Sequence, residues 1–189
     1  MLSYRKLAMR VLGRPLHTEG ISSPRPASQR AAAFILTAAM LTTLTAPAFA
    51  GTWYIENGDI TVKAGDTEGT NKVKQGDSDF VKDEGDTIIT GTSNQNTVTI
   101  ETEKKDDKVE VTLKDVNIDA SSRNEAAVSV TGKGDTNIEL DGDNKLQSGS
   151  GHAGLEHNKT DTSGELTIQD NDKNGSLKAA GGQYGAGIG

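Results

Sequence analysis

A short run near the end of the chain has the residue types and spacing of a metal-binding loop. Asp170, Asp172 and Asn174 offer side-chain oxygens at alternate positions, and Gly175 follows them. This matches the first half of a calcium loop, in which hard oxygen ligands wrap one Ca²⁺ around a glycine turn. The twelfth position of such a loop is a bidentate glutamate, and here it is Gly181. Two interpretations stay open: a plain Asp/Asn turn or a Ca²⁺ site. The plain turn is favoured. No other cofactor is expected.

Sugar binding would need aromatic platforms beside Asp and Asn side chains, and few aromatic residues follow residue 50. The candidate carbohydrate-binding residues are Trp53, Tyr54 and Tyr184. Because Trp53 and Tyr54 are adjacent on a predicted strand, they point to opposite faces. We expect one of them to pack over the end of the fold as a cap and the other to face outward.

Two histidines form the next candidate site. His152 and His157 flank Glu156, but the spacing is not the H-E-x-x-H pattern of a zinc site on a helix. We interpret them as exposed turn histidines, with a zinc site as the alternative.

Aspartates in successive repeats could form a catalytic pair. Five would lie near one another if the repeats described below stack: Asp135, Asp141, Asp143, Asp170 and Asp172. Two such carboxylates could act as acid and base in glycoside hydrolysis. Acidic residues are common throughout this chain, so a few of them lying close together is weak evidence for a catalytic pair. We expect no enzymatic activity.

Charge and composition limit the partners. Residues 51–189 contain 14 basic and 26 acidic residues, a net charge of about −12. Such a surface repels phosphate backbones, so nucleic acid is not an expected partner. The chain has no cysteine, which excludes disulfides, thiolate metal sites and a cysteine nucleophile.

Residues 1–50 have the pattern of a secretory signal peptide. They contain six of the twenty Lys and Arg residues, then an uncharged apolar run at 31–46, then Pro47 and the small-x-small sequence that ends at Ala50. The alternative is a membrane anchor, but the run is short against the roughly 20 residues that span a bilayer. Met9 is an alternative start. We therefore expect cleavage after Ala50, a secreted or cell-surface location, and no membrane span after cleavage.

The rest of the chain, 51–189, repeats one short unit. Similar stretches begin at Val111, Ile138 and Leu166, spaced by 27 and 28 residues, and such a period is typical of a solenoid. Period-2 alternation and Gly/Asn/Asp turns indicate an all-β fold, and we predict a right-handed parallel β-helix. Four aliphatic rows would fill it: Val111/Ile138/Leu166, Leu113/Leu140/Ile168, Ile118/Leu146/Leu177 and Val128/Leu155/Ile188.

Two parts of this domain fit the repeat poorly. Residues 63–86 are polar and aperiodic, which predicts an excursion from the first coil or a cap. The chain ends at Gly189 inside a repeat without a polar cap. Because solenoid ends are normally capped, we expect the β-helix to be incomplete at its C-terminus and the sequence to be a fragment.

The start of this domain, Gly-Thr-Trp-Tyr-Ile-Glu-Asn-Gly-Asp-Ile-Thr-Val at 51–62, resembles a family of bacterial extracellular repeat proteins. Members are described as carbohydrate-binding domain-containing or adhesin-like, and the repeats at 111–118 and 138–146 are similar to theirs. The resemblance implies a right-handed parallel β-helix at the cell surface. Its motifs are structural, so no binding residue is carried over from the family.

We therefore expect a secreted or cell-surface, non-enzymatic module with a structural or adhesive role and weak carbohydrate binding. Its partners would be glycans or surface proteins. One alternative is a polysaccharide-degrading enzyme, a lyase or glycoside hydrolase, on a pectin-lyase-like β-helix. Another is a stalk fragment of a larger exported protein.

Overall fold

The computed structural model describes residues 51–158, 160 and 162–189. The predicted signal peptide lies outside the described residues. Within them the chain is all-β, with one 3-10 turn at Ile55–Asn57 and no α-helix. In this part of the chain, no helix combines the length and apolar character needed to cross a bilayer.

Thirteen strands make up the described part of the chain. In order they are β1 (Thr52–Tyr54), β2 (Ile60–Ala64), β3 (Asn71–Gln75), β4 (Val81–Asp83), β5 (Thr87–Ser93), β6 (Val98–Thr102), β7 (Lys108–Asp119), β8 (Val128–Gly132), β9 (Asp135–Asp141), β10 (Asp143–Gln147), β11 (Leu155–His157), β12 (Leu166–Gln169) and β13 (Ser176–Ala180).

The strands form two sheets. The seven-stranded sheet has the order β1-β5-β7-β10-β13, with β9 paired to β7 and β12 paired to β9. The six-stranded sheet has the order β11-β8-β6-β2-β3-β4. From β5 onward the chain passes repeatedly from one sheet to the other, and all described pairings are parallel except β2–β3 and β3–β4. The seven-stranded sheet is therefore parallel throughout, and the six-stranded sheet is mixed, with antiparallel pairing only at its β2-β3-β4 end.

Alternation of apolar and polar residues explains the strands. In β7, Val109, Val111 and Leu113 are buried, while Glu110 is exposed and Thr112 is half-buried. Successive side chains of a strand point to opposite faces, so one face of β7 enters the core and the other meets solvent. Members of both sheets contribute to a single buried cluster.

The long strand β7 turns a corner at Asp115. Its first part pairs with β9 up to Lys114, and its last part pairs with β10 from Asn117. Asp115 has a φ of 50° and Gly142, between β9 and β10, has a φ of 68°. A Cβ on Gly142 would lie 2.1 Å from Oδ1 of Asp115, so this corner requires glycine for both its backbone angle and its closest neighbour.

The first two members of each predicted row pair in register. The observed partners are Val111 with Ile138, Leu113 with Leu140, Ile118 with Leu146, and Val128 with Leu155. The last row extends as predicted, since Leu155 forms a parallel bridge with Ile188.

The third member of the other three rows was predicted incorrectly. Ile168 pairs with Ile138 and Leu166 with Thr136, while Ala179 pairs with Leu146 and Leu177 with Asn144. Each strand is displaced by two residues from the predicted register. A shift of two keeps every side chain on the same face, so the apolar pattern does not distinguish the two registers.

Residues 63–86 form regular structure that the sequence analysis missed. β3 and β4 extend the six-stranded sheet by antiparallel pairing beyond β2. Val73 of β3 is buried, and so are two polar residues, Asn71 and Asp83. Because the segment is mostly polar, its sequence gives little indication that it forms one edge of the sheet.

Candidate functional site

The outward side of the seven-stranded sheet presents ordered rows of polar side chains. Across β7, β9 and β12, Glu110 is in register with Asn137 and Thr167, and the adjacent row contains three more polar residues. We call these six residues the polar face: Glu110, Thr112, Asn137, Glu139, Thr167 and Gln169. Neighbouring members of a row lie about 4.8 Å apart, which is the strand spacing.

All of the polar face except Thr167 lines a groove of about 330 Å³. Its walls include Asp86 at one side and Asn171 and Asp172 at the other. The groove is therefore rich in carboxylate and amide groups, which can accept and donate hydrogen bonds to a hydroxyl-rich ligand.

Tyr54 lies on the same outward side. It is in register with Thr90 of β5, which pairs with Lys114 of β7, and its side chain is 48% exposed. Lys114 forms an ion pair with Asp141 at 2.6 Å, and this hydrogen bond and the charge of Asp141 raise the pKa of Lys114. The row next to the polar face thus begins with an exposed aromatic ring and ends with a charged pair.

Trp53 faces the interior. It pairs with Ile89, packs against the buried cluster, and donates a hydrogen bond from Nε1 to Oδ2 of Asp83 at 3.0 Å. The row Trp53, Ile89, Leu113 and Leu140 is continuous. The indole therefore covers the end of an aliphatic row and is not available as a sugar platform.

Tyr184 is separated from the other two candidate aromatic residues. It is 91% exposed, with a φ of 70°, in the segment that follows β13. Because β1 and β13 are at opposite ends of the strand order, Tyr54 and Tyr184 cannot form one platform on this sheet. The three predicted carbohydrate-binding residues are not brought together.

The predicted calcium loop is a turn closed by its own hydrogen bonds. Oδ1 of Asp170 accepts hydrogen bonds from the backbone amides of Asn174 at 3.1 Å and Gly175 at 3.2 Å. The side-chain amide of Asn174 donates to Oδ2 of Asp172 at 2.7 Å. Asn174 therefore serves the turn, as expected for the Asp/Asn-turn interpretation.

A different acid joins this turn. Oxygen atoms of Glu139, Asp170 and Asp172 all lie within 4.8 Å of one another. Glu139 also accepts hydrogen bonds from the backbone and side-chain nitrogens of Asn171, at 2.6 and 2.7 Å. Glu139 was not among the predicted site residues, because only the observed register of β9 and β12 brings it to the turn.

The histidine candidate is a hydrogen-bonded pair of side chains. Nδ1 of His152 lies 2.9 Å from Oε2 of Glu156, which also accepts a hydrogen bond from the amide of Ala153. Burial raises the pKa of Glu156, but hydrogen bonds from His152, Ala153 and Asn158 outweigh it, so the pKa is lowered overall. Among the described residues, no grouping that could hold a metal ion includes these side chains.

The three aspartates predicted for catalysis in the second repeat each have another role. Asp141 pairs with Lys114, and Asp143 accepts a hydrogen bond from the hydroxyl of Ser176 at 2.8 Å. Asp135 accepts one from the amide of Glu165 at 2.9 Å. These contacts connect one repeat to the next.

A larger cleft of about 610 Å³ lies between residues 64–68 and 104–108. Charges of both signs line it, and several are paired, including Lys108 with Glu68 at 3.6 Å and Lys72 with Asp66 at 2.6 Å. Exposed pairs of this kind are typical of a solvated surface. The polar face is the stronger candidate because its side chains lie on paired strands.

No protein-family model, curated protein or solved structure matches this chain. Its function is therefore inferred from the geometry of the described residues.

Proposed function

We propose that this protein is a secreted or cell-surface, non-enzymatic module, built as a right-handed parallel β-helix, with a structural and adhesive role. Its polar face and Tyr54 bind carbohydrate weakly. In this respect it would be similar to the adhesin-like extracellular repeat proteins that its sequence resembles.

Parallel pairing between successive repeats supports the β-helix. Leu113 pairs with Leu140, and Val128 of the other sheet pairs with Leu155, in each case 27 residues further along the chain. Passage from one sheet to the other and back between parallel neighbours is how a coil is built. Crossovers between parallel strands are right-handed in nearly all proteins, which supports the hand.

The single observation that carries the binding function is the alignment of polar rows beside an exposed aromatic ring. Asn137, Thr167 and Gln169 repeat donors and acceptors at the strand spacing, and Tyr54 is on the same outward side. An extended polymer with repeated hydroxyl groups matches such an array. Binding should be weak because one tyrosine and an open groove bury little of the ligand.

The polysaccharide-degrading enzyme remains the second candidate. The observation that favours it is the close approach of Glu139, Asp170 and Asp172 beside the groove. A glycoside hydrolase needs two carboxyl groups on either side of the scissile bond. All three acids here also hold the turn at 170–175, which favours a structural role.

The test measures binding of the full chain to an array of bacterial and host polysaccharides, with parallel assays for released reducing ends and for unsaturated products. We expect binding with a dissociation constant of about 0.1–1 mM, corresponding to a binding free energy of about 4–5.5 kcal/mol, and no product formation. Tyr54→Ala and Asn137→Ala should each weaken binding several-fold.

Ser129→Ala is the matched control, since Ser129 is a half-buried polar residue on the six-stranded sheet. An equal loss in this variant would contradict the proposed site. Binding that survives both polar-face substitutions would also contradict it. Release of cleavage products would replace the adhesive role with the enzymatic one.

A further inference from the structure

Asp83 is a buried carboxylate for which the described residues supply no cation. It is 3% exposed at the end of β4, and no ion pair within 4.0 Å in that part of the chain includes it. Burying a carboxylate without a counter-ion is strongly unfavourable unless other groups compensate. A positive charge near Asp83 would remove that cost.

Three hydrogen-bond donors surround Asp83. Its Oδ1 accepts from the backbone nitrogen of Gly51 at 2.8 Å, and its Oδ2 accepts from Nε1 of Trp53 at 3.0 Å and from the hydroxyl of Thr87 at 3.1 Å. Of the three, only the nitrogen of Gly51 can become a cation, and it does so if the peptide bond before it is broken.

Gly51 is held in a fixed position. Its carbonyl accepts a hydrogen bond from the amide of Ile88 at 3.0 Å, in continuation of the β1–β5 pairing. A Cβ on Gly51 would lie 2.8 Å from both Oδ2 of Asp83 and Nε1 of Trp53. The site therefore admits a nitrogen at this distance and has no room for a side chain.

We propose that the α-ammonium group of Gly51, produced by signal-peptide cleavage, is the counter-ion of Asp83. Hydrolysis of the Ala50–Gly51 bond by water leaves a carboxylate on Ala50 and an ammonium on Gly51. A separation of 2.8 Å matches a charge-assisted bond between an ammonium and a carboxylate. Cleavage thus replaces a neutral amide donor by a cation at a place that already contains the anion.

The pair is connected to the rest of the sheet edge. Thr87, which donates to Asp83, accepts a hydrogen bond from the side-chain amide of Asn71 at 2.8 Å. The same amide donates to the carbonyl of Glu110 in β7 at 2.7 Å. Docking of the new N-terminus would therefore stabilise β1, β4 and their neighbours, independently of any glycan binding.

The first experiment expresses the full chain with its own leader in a secreting bacterium and determines the N-terminal residue of the exported protein. We expect the sequence to begin at Gly51. A start at any other residue, or export with residues 1–50 retained, would overturn the proposal.

The second experiment removes the charge from the processed protein. Transamination with pyridoxal phosphate under denaturing conditions converts the α-amine of an N-terminal glycine to an aldehyde and leaves lysines unchanged. After refolding, we expect the unfolding equilibrium constant to rise about 10-fold or more, the usual effect of losing a hydrogen bond to a charged group. Equal stability before and after conversion would overturn the proposal.

The variant Asp83→Asn separates the ion pair from other effects of the conversion. In this variant the conversion should change stability by less than about 2-fold, whereas Asp79→Asn, which alters an exposed acid between β3 and β4, should respond like the natural protein. If the conversion destabilised Asp83→Asn as much as the natural protein, the proposed ion pair between Gly51 and Asp83 would be wrong.

If Asp83→Asn does not fold, the rate of amine modification in the natural protein decides. We expect the native α-amine to react at least about 10-fold more slowly than the denatured one, because the ion pair must open first. Equal rates would overturn the proposal.

Discussion

The backbone amide of Val116 donates a hydrogen bond to Oδ1 of Asn144, 3.0 Å away. Asn144 is 1% exposed, and its side-chain nitrogen donates to the carbonyls of Asp141, Gly142 and Ser176. One buried amide thus connects β7, β10 and the start of β13 at the corner of the seven-stranded sheet.

Substituting this amide should destabilise the fold strongly. In Asn144→Ala, the buried amide of Val116 loses its side-chain partner, which costs about 1–3 kcal/mol, and the partly buried carbonyl of Ser176 loses a hydrogen bond as well. We expect the free energy of unfolding to fall by about 2–4 kcal/mol, measured by urea titration. Asn124→Ala, at an exposed loop position, should stay within about 0.5 kcal/mol; equal effects would show that Asn144 is not structural.

The register of β9 and β12 can be tested by disulfide trapping, because the natural chain has no cysteine. Asn137 pairs with Thr167, and Cα atoms on neighbouring strands at about 4.8 Å are within disulfide range. We expect N137C/T167C to oxidise nearly completely, as seen by mass spectrometry. The E139C/T167C pair, which fits the register displaced by two residues, should remain mostly reduced; the opposite result would restore the sequence-based alignment.

Acid should weaken the fold through Glu156. The pKa of this carboxyl is lowered in the folded protein from its usual 4.5, so its contribution to stability is complete above about pH 4.5 and is lost as the pH falls through the folded pKa. Glu156→Gln should reduce stability by about 1–2 kcal/mol at pH 7 and show a shallower decline between about pH 5 and pH 3. Glu165→Gln, at an exposed position, should follow the natural protein; a steep decline retained in Glu156→Gln would assign the acid sensitivity elsewhere.

Calcium should bind weakly at Glu139, Asp170 and Asp172, whose oxygen atoms lie within 4.8 Å of one another. Hydrogen bonds within the turn hold it closed, so EDTA should leave the fold intact. Millimolar Ca²⁺, the range of extracellular calcium modules, should raise the melting temperature by about 1–3 °C by relieving repulsion among the three acids.

Glu139→Gln should abolish that calcium response, while Asp106→Asn, which alters an exposed acid in the loop before β7, should retain it. A melting temperature independent of Ca²⁺ in the natural protein would establish the plain turn.

The inward pattern of the fold could be predicted, whereas the full register could not. Leu140 follows Leu113, and Leu155 follows Val128, at the same regular spacing along the chain. This spacing predicts both of the observed pairings. The longer segment before Leu166 allows a displacement by two residues, which exchanges one inward side chain for another without changing the pattern. β3 was missed because Val73 and Asn71 are its buried residues, too little apolar signal for a strand.

The candidate site was predicted in part. Alternation separates the two neighbouring aromatic residues, with Trp53 inside and Tyr54 exposed. Glu139, in contrast, meets the turn at 170–175 only through the observed register of parallel strands. The hydrogen bond between Trp53 and Asp83 joins residues 30 positions apart. It depends on the antiparallel pairing of β3 and β4, and no local pattern in the sequence specifies it.

In the proposed β-helix, parallel pairing between successive repeats would also make length additive. Each repeat would advance the chain by one strand spacing, about 4.8 Å, while Glu110, Asn137 and Thr167 lie in register across their strands. Duplicating residues 114–140 should therefore extend the protein by one such increment without altering its width. The number of repeats that the gene encodes would then set the length of the protein.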